Sequence, residues 1–270
     1  MYVANGSAGV PGGLRLDRIV TRSFTTGRAY EPALTEYFAD LAEHHGLPQR
    51  AAHFAELRMN TFTSMVGRTL DALGPLPARI GAAVLAHSTP DAEPLWPSSF
   101  LSGALPGEPL SFAIADHGVT APFTALRLAA AYAGTEPVLL FALDQTTVVL
   151  DHTVPAGTVM PTEDRVAVLL LEPSSPGLAV RELPGMTPED AVAVVLAELT
   201  TSRPDAVVLG TGLLGHCQVP TGIPVVKARE GLPCTGLWTA LADTDPQAHT
   251  LLLADYDPNL RSLGLCHLTR

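Results

Sequence analysis

Apolar residues recur at helical spacing over 33–45 and again over 50–73, where Phe54, Leu57, Phe62, Met65, Val66 and Leu70 share a face. The spacing predicts two helices, the second closed by Gly74, Pro75 and Pro77. The pattern then changes. Residues 79–86 form a short, nearly continuous apolar run, which predicts a buried strand, and 96–105 a short helix opened by Pro97-Ser98-Ser99. A second strand, Leu110-Ser111-Phe112-Ala113-Ile114-Ala115, runs through Asp116-His117-Gly118-Val119-Thr120 straight into a helix over 122–133. Core strands follow at 138–142 and 165–171, separated by a Thr/Val/Pro-rich loop over 146–162.

Pro173-Ser174-Ser175-Pro176-Gly177 is the clearest internal boundary and divides the chain into 1–172 and 173–270, two halves of one compact unit. The second half repeats the logic in shorter form. It reads as a strand at 178–183, a helix at 187–200 capped by Thr187 with Glu189 and Asp190 in its first turn, and strands at 205–209 and 223–226. A helix after Cys234-Thr235 and strands at 250–254 and 263–268 complete it. Alternating strands and helices, with strands apolar on both faces, predict a layered α/β architecture with largely buried sheets.

Composition narrows the function classes. The 270 residues are 47% hydrophobic and 16% charged, which suits a large folded core. Lys and Arg number 16 against 27 acidic residues, a formal net charge of -11 without any basic run. Nucleic-acid binding through phosphate neutralisation is excluded on that balance, and docking an acidic carrier protein would need a local basic patch. The start, Met1 to Gly9, lacks the basic and long apolar regions of a signal peptide, and no apolar stretch is long enough to span a bilayer. Three cysteines, Cys217, Cys234 and Cys266, make no disulfide framework. The expectation is a cytoplasmic protein with no membrane contact.

Gly210-Thr211-Gly212-Leu213-Leu214-Gly215 matches half of a dinucleotide fingerprint, but His216-Cys217-Gln218-Val219-Pro220 leaves no room for the helix that would hold a pyrophosphate. His216-Cys217, Cys234 and Cys266-His267 lack metal-ligand spacing, and Cys266 and His267 would face opposite sides of one strand. The cysteines read as buried structural residues, and His44, His45 and His53 as solvated. Neither metal nor cofactor is implied. Gly6-Ser7-Ala8-Gly9 lacks the first glycine of a hydrolase elbow. Asp116-His117 remains, at a strand end. Either His117 is a general base oriented by Asp116, or Asp116 caps the helix while His117 packs or faces solvent.

The strand–turn–helix around Asp116–Thr120 resembles the nucleophile elbow of the ketosynthase III branch of the thiolase superfamily. The likeness runs from about Arg50 onward. Arg79 to Pro90 is similar to that family's strand ending in a Thr/Ser-rich turn, Pro97-Ser98-Ser99 to its proline-led helix, and Val138 to Asp144 to its next core strand. Asp164 to Leu171 is similar to its glycine-rich strand without the glycines, and the N-terminal region and the segment joining the halves look shortened. The resemblance implies a layered αβαβα thiolase-like fold of two pseudo-repeated, shortened halves.

In that family a cysteine at the elbow carries the acyl group, and a histidine and an asparagine from the second half assist condensation. The cysteine position falls on Val119, with Gly118 or Thr120 as alternatives; the histidine position falls on Gly210 and the asparagine position on Cys234. The glycine turn of the final hairpin becomes Tyr256-Asp257-Pro258-Asn259-Leu260. The resemblance thus implies loss of condensation, and a non-condensing subunit of polyketide or fatty-acid-type biosynthesis, paired with itself or with an active ketosynthase. The pairing strand would be 138–143. The alternative is a repurposed elbow acting on an acyl-carrier-protein or coenzyme A thioester through Asp116, His117 or Thr120. A third is a module that holds an apolar small molecule.

Overall fold

The computed structural model describes residues 13–25, 27–47, 51–93, 97–132, 134–149 and 154–270, so the glycine-rich residues 6–9 lie outside it. The first half comprises β1 (Gly13–Phe24), β2 (Arg28–Ala29), α1 (Pro32–His44), α2 (Ala51–Glu56), β3 (Arg58–Met59), α3 (Phe62–Leu73), β4 (Ala82–His87), α4 (Pro97–Ala104), β5 (Leu110–Ile114), α5 (Ala121–Tyr132), β6 (Val138–Asp144) and β7 (Asp164–Ser174). The second comprises β8 (Ala179–Pro184), α6 (Pro188–Ser202), β9 (Ala206–Leu209), β10 (Val225–Lys227), α7 (Gly236–Ala242), β11 (Thr250–Asp257) and β12 (Ser262–Thr269).

Two five-stranded sheets carry the architecture, in the orders β1-β7-β6-β4-β5 and β10-β9-β11-β12-β8. Counted within its own half, each sheet reads 3-2-4-5-1 from one edge, and in each only the fifth strand runs against the others. Helices α3 and α4 cover the outer face of the first sheet, where Phe62, Met65 and Leu101 meet Leu85, Phe141 and Val168. Helix α6 covers the outer face of the second through Ala191, Val195 and Leu199. Between the sheets lie α5 and α7, packed on Val84, Leu140, Val208 and Leu253. Phe123 and Trp238 join these two helices, with ring centroids 5.6 Å apart. Truncating either buried ring would cost about 3–5 kcal/mol. The layers are therefore αβαβα, with two helices sealed in the middle.

Local chemistry explains the boundaries. Thr187 and Asp190 form a reciprocal capping box, and Pro188 opens α6. The single helix predicted over 50–73 is two helices. Met59 and Arg58 pair with β2, and Thr61 caps α3 by accepting the Ser64 amide at 3.1 Å. Phe54 and Met59 are drawn instead into a small separate cluster with Tyr30 and Phe38. Strand pairing and a cap thus override a continuous apolar period. Strand β1 is an element that the patterns above do not predict; a bulge between Leu16 and Arg18 breaks its alternation. Because β1 pairs along β7, the fold begins well before Arg50.

The expected pairing strand needs correction. β6, which contains 138–143, lies inside its sheet with β4 and β7 hydrogen-bonded to its two edges, and all seven residues are buried. It has no free edge for another chain. Among the described residues, the free edge next to the elbow belongs to β5.

Candidate active-site region

The elbow is built as the sequence implies. β5 ends at Ile114, Gly118–Thr120 make a 3₁₀ turn, and α5 starts at Ala121. Asp116 and Gly118 take left-handed backbone angles, φ 62 and 51. The Thr120 hydroxyl donates to the His117 carbonyl at 2.8 Å and is buried, so it secures the turn. Val119 is buried as well.

What faces the turn is a carboxylate. Asp257, the last residue of β11, accepts the Val119 amide on Oδ2 at 3.1 Å and the Asn259 and Leu260 amides on Oδ1 at 2.9 Å each. A Cβ at position 118 would lie 1.8 Å from Asp257 Oδ2, so only glycine fits there. The amide that an elbow would offer to a developing oxyanion is already taken by the protein's own anion.

The same filling recurs at Gly210. At Gly210 a Cβ would lie 1.8 Å from Asp255 Cγ. The Asp255 carboxyl therefore occupies the space of any side chain at that position, and accepts the Gly212 and Tyr256 amides at 3.1 and 2.8 Å. Burial pushes its pKa up to about 7 despite those two hydrogen bonds. Cys234 has its Sγ 3.7 Å from the Gly118 carbonyl. Burial, then the nearby Asp144 carboxyl, hold its thiol well above the usual range. It is an inert thiol rather than a nucleophile. The structure thus brings Gly118, Val119, Gly210 and Cys234 together around acids.

Asp144, fully buried at the end of β6, accepts the Cys234 amide at 3.0 Å and both the amide and hydroxyl of Thr235 at 2.8 and 2.6 Å. Burial raises its pKa to about 6, against those hydrogen bonds. The arrangement mirrors that of Asp257. Asp144 ends the fourth strand of the first half and holds the turn before α7; Asp257 ends the fourth strand of the second half and holds the turn before α5. Sequence reasoning missed Asp144, Asp255 and Asp257. Their signal was an acid within or at the end of an otherwise apolar run, Leu139-Leu140-Phe141-Ala142-Leu143-Asp144 and Leu252-Leu253-Ala254-Asp255-Tyr256-Asp257.

Space at the elbow is small. A cavity of about 80 Å³ is lined by Ser88, Gly118, Val119, Pro233 and Asp257. A larger one of about 240 Å³, walled by Val119, Val159, Thr211, His216, Tyr256 and Pro258, shares Val119, Val159 and Pro258 with it.

Asp116 and His117 are both exposed, and among the described residues no hydrogen bond or ion pair links them. Asp116 also makes no capping bond there. The His117 ring turns elsewhere: its Nδ1 is 3.0 Å from the Thr124 hydroxyl, which donates to Glu182 at 2.5 Å. Glu182 in turn pairs with Arg127 at 3.1 Å. Elsewhere, Gly210–Gly215 leads into a 3₁₀ turn, Thr211–Leu213, and not a long helix. On β12, Cys266 is buried with its thiol pushed up to about 12, while His267 contacts Glu198 at 2.9 Å. Among the described residues no helix is long and apolar enough to cross a membrane.

No protein-family model matches this sequence, and no curated protein does either. Solved structures do match. ChlB3, described as an acyltransferase, is 18% identical, with a TM-score of 0.60 over 95% of this chain and 98% of its own. A 3-oxoacyl-(acyl-carrier protein) synthase from Burkholderia xenovorans is 14% identical, with a TM-score of 0.60 over 95% and 94%. OleA from Xanthomonas campestris, solved with bound lauric acid and lauroyl-CoA, is 10% identical, with a TM-score of 0.61 over 96% and 100%. The chain therefore shares the α/β fold of these synthase and acyltransferase structures.

Proposed function

We propose that the chain is a non-condensing ketosynthase-fold subunit of polyketide or fatty-acid-type biosynthesis, paired with an active ketosynthase or with a second copy. The observation that carries this reading is the Asp257 carboxylate on the Val119 amide. Condensation needs a covalent acyl carrier and a donor for the oxyanion. Here the elbow has no thiol, and its amide donor is already occupied by the Asp257 side chain. Asp255 likewise fills the space before Gly210. A set of catalytic groups acts as a unit, so a remnant confers little.

Pairing would use the free edge of β5, where Leu110 and the neighbouring Tyr132 on α5 are 51% and 59% exposed. An acyl-carrier-protein or coenzyme A thioester, as the lauroyl-CoA of the OleA complex suggests, would approach through the cavity between Val119 and Tyr256. Co-expression with a ketosynthase, followed by co-purification and product analysis, tests the reading. Joint elution and dependence of product on both chains is the expected result. An acyl adduct on this chain alone, seen by intact mass after incubation with an acyl thioester, would sink it.

A second reading, thioester turnover at a repurposed elbow, is favoured by one observation: His117 is exposed while its Nδ1 is held by Thr124. Unchanged thioester hydrolysis in His117→Ala would remove its central residue.

A further inference from the structure

We infer that Thr124 and Glu182 form a hydrogen-bond relay that fixes His117 as the Nδ1–H tautomer, leaving Nε2 as an exposed proton acceptor at the elbow rim. The inference deepens the second reading above and rests on it for its chemistry. It follows from counting protons. A threonine hydroxyl has one proton, and an ionised carboxylate can only accept. The Thr124 hydroxyl donates to the Glu182 carboxylate at 2.5 Å, and Arg127 pairs with the other oxygen of that carboxylate at 3.1 Å. The 3.0 Å contact between Thr124 Oγ1 and His117 Nδ1 must then use a proton on the ring. A neutral imidazole carries only one, so Nε2 holds a lone pair.

The backbone supports the same arrangement. His117 is anchored through its carbonyl by the Thr120 amide at 3.1 Å and the Thr120 hydroxyl at 2.8 Å. Thr124 is buried on α5, and Glu182 reaches it from β8 in the other half. Thr124 and Glu182 are positioning residues; His117 alone would meet the substrate. When Nε2 takes a proton, the Nδ1–H stays on Thr124 and the Thr124 proton on Glu182, so no proton crosses the relay. The new positive charge lies one hydroxyl away from a carboxylate. In thioester hydrolysis Nε2 would take the proton of the attacking water as its oxygen bonds to the carbonyl carbon. The carbon–sulfur bond then breaks, and the departing sulfur receives that proton from Nε2.

Nitrogen NMR of the full chain with labelled histidine tests the tautomer directly. In the wild type, His117 should show a protonated Nδ1 and a bare Nε2, and Thr124→Val or Glu182→Gln should shift it towards the Nε2–H form. A protonated Nε2 in the neutral wild-type ring, or a tautomer untouched by either variant, overturns the inference. Hydrolysis of an acyl-N-acetylcysteamine probe is read in parallel. His117→Ala should lose about 100-fold in kcat, and Thr124→Val about tenfold with KM unchanged. The expected tautomer without any hydrolysis would retire the second reading and leave the relay standing.

Discussion

The Oδ2 oxygen of Asp257 lies 3.1 Å from the amide nitrogen of Val119, so the final hairpin of the chain closes the elbow of its first half. Asp257→Ala removes three backbone hydrogen bonds and leaves a buried amide without a partner. The expected loss is about 3 kcal/mol of stability, measured by urea unfolding. A loss below about 0.5 kcal/mol would mean that this carboxylate does not hold the junction.

Asp255 makes stability depend on pH. Its folded pKa, about 7, lies above the ordinary carboxyl value of 3.8. Its contribution is thus full below pH 3.8 and is lost as pH rises through about 7. Asp144, at about 6, has the same sign. Asp255→Asn should therefore stabilise the protein at pH 8 by on the order of 2 kcal/mol relative to its effect at pH 4. Melting temperatures at the two pH values decide it, and an equal shift at both would refute it.

Gly210 and Asp255 share one space, so their substitutions should couple. Gly210→Ala alone puts a Cβ into the Asp255 carboxyl and should destabilise the fold. Gly210→Ala with Asp255→Gly should recover part of that loss, a coupling above about 1 kcal/mol in a double-mutant cycle. Additive losses would show that the space is more yielding than the geometry implies.

Thiol labelling should distinguish the three cysteines. Burial pushes all three thiols up, but Cys217 is only half-buried and open to reagent, whereas Cys234 and Cys266 are buried. With iodoacetamide at neutral pH, the native protein should label at Cys217 only, and all three should label in denaturant. Native labelling of Cys234 would contradict the inert-thiol assignment.

Much of the fold was legible because buried strands and capped helices write themselves locally. Val138–Asp144 and Thr187 with Asp190 are examples. What escaped was decided by tertiary partners. β1 is an edge strand whose bulge hides its period, and the long apolar stretch up to Leu73 is cut where Met59 finds a strand partner. In the candidate site, the turn at Gly118 and the missing nucleophile could be read from the residues. The acids around it could not, because Asp144, Asp255 and Asp257 lie 26 to 139 residues beyond Gly118 in the chain. A resemblance shows which residues are lost. It does not show what moved into their place.

The matching strand orders of the two sheets have a consequence for the seam between the halves. A condensing centre needs its two sides to differ, one giving a nucleophile and the other an acid–base pair. In this chain each side gives the other the same thing: an aspartate at the end of a fourth strand, reaching across to close the start of a buried helix. The seam has become a pair of matched clasps, and neither half can finish its own central helix without the other.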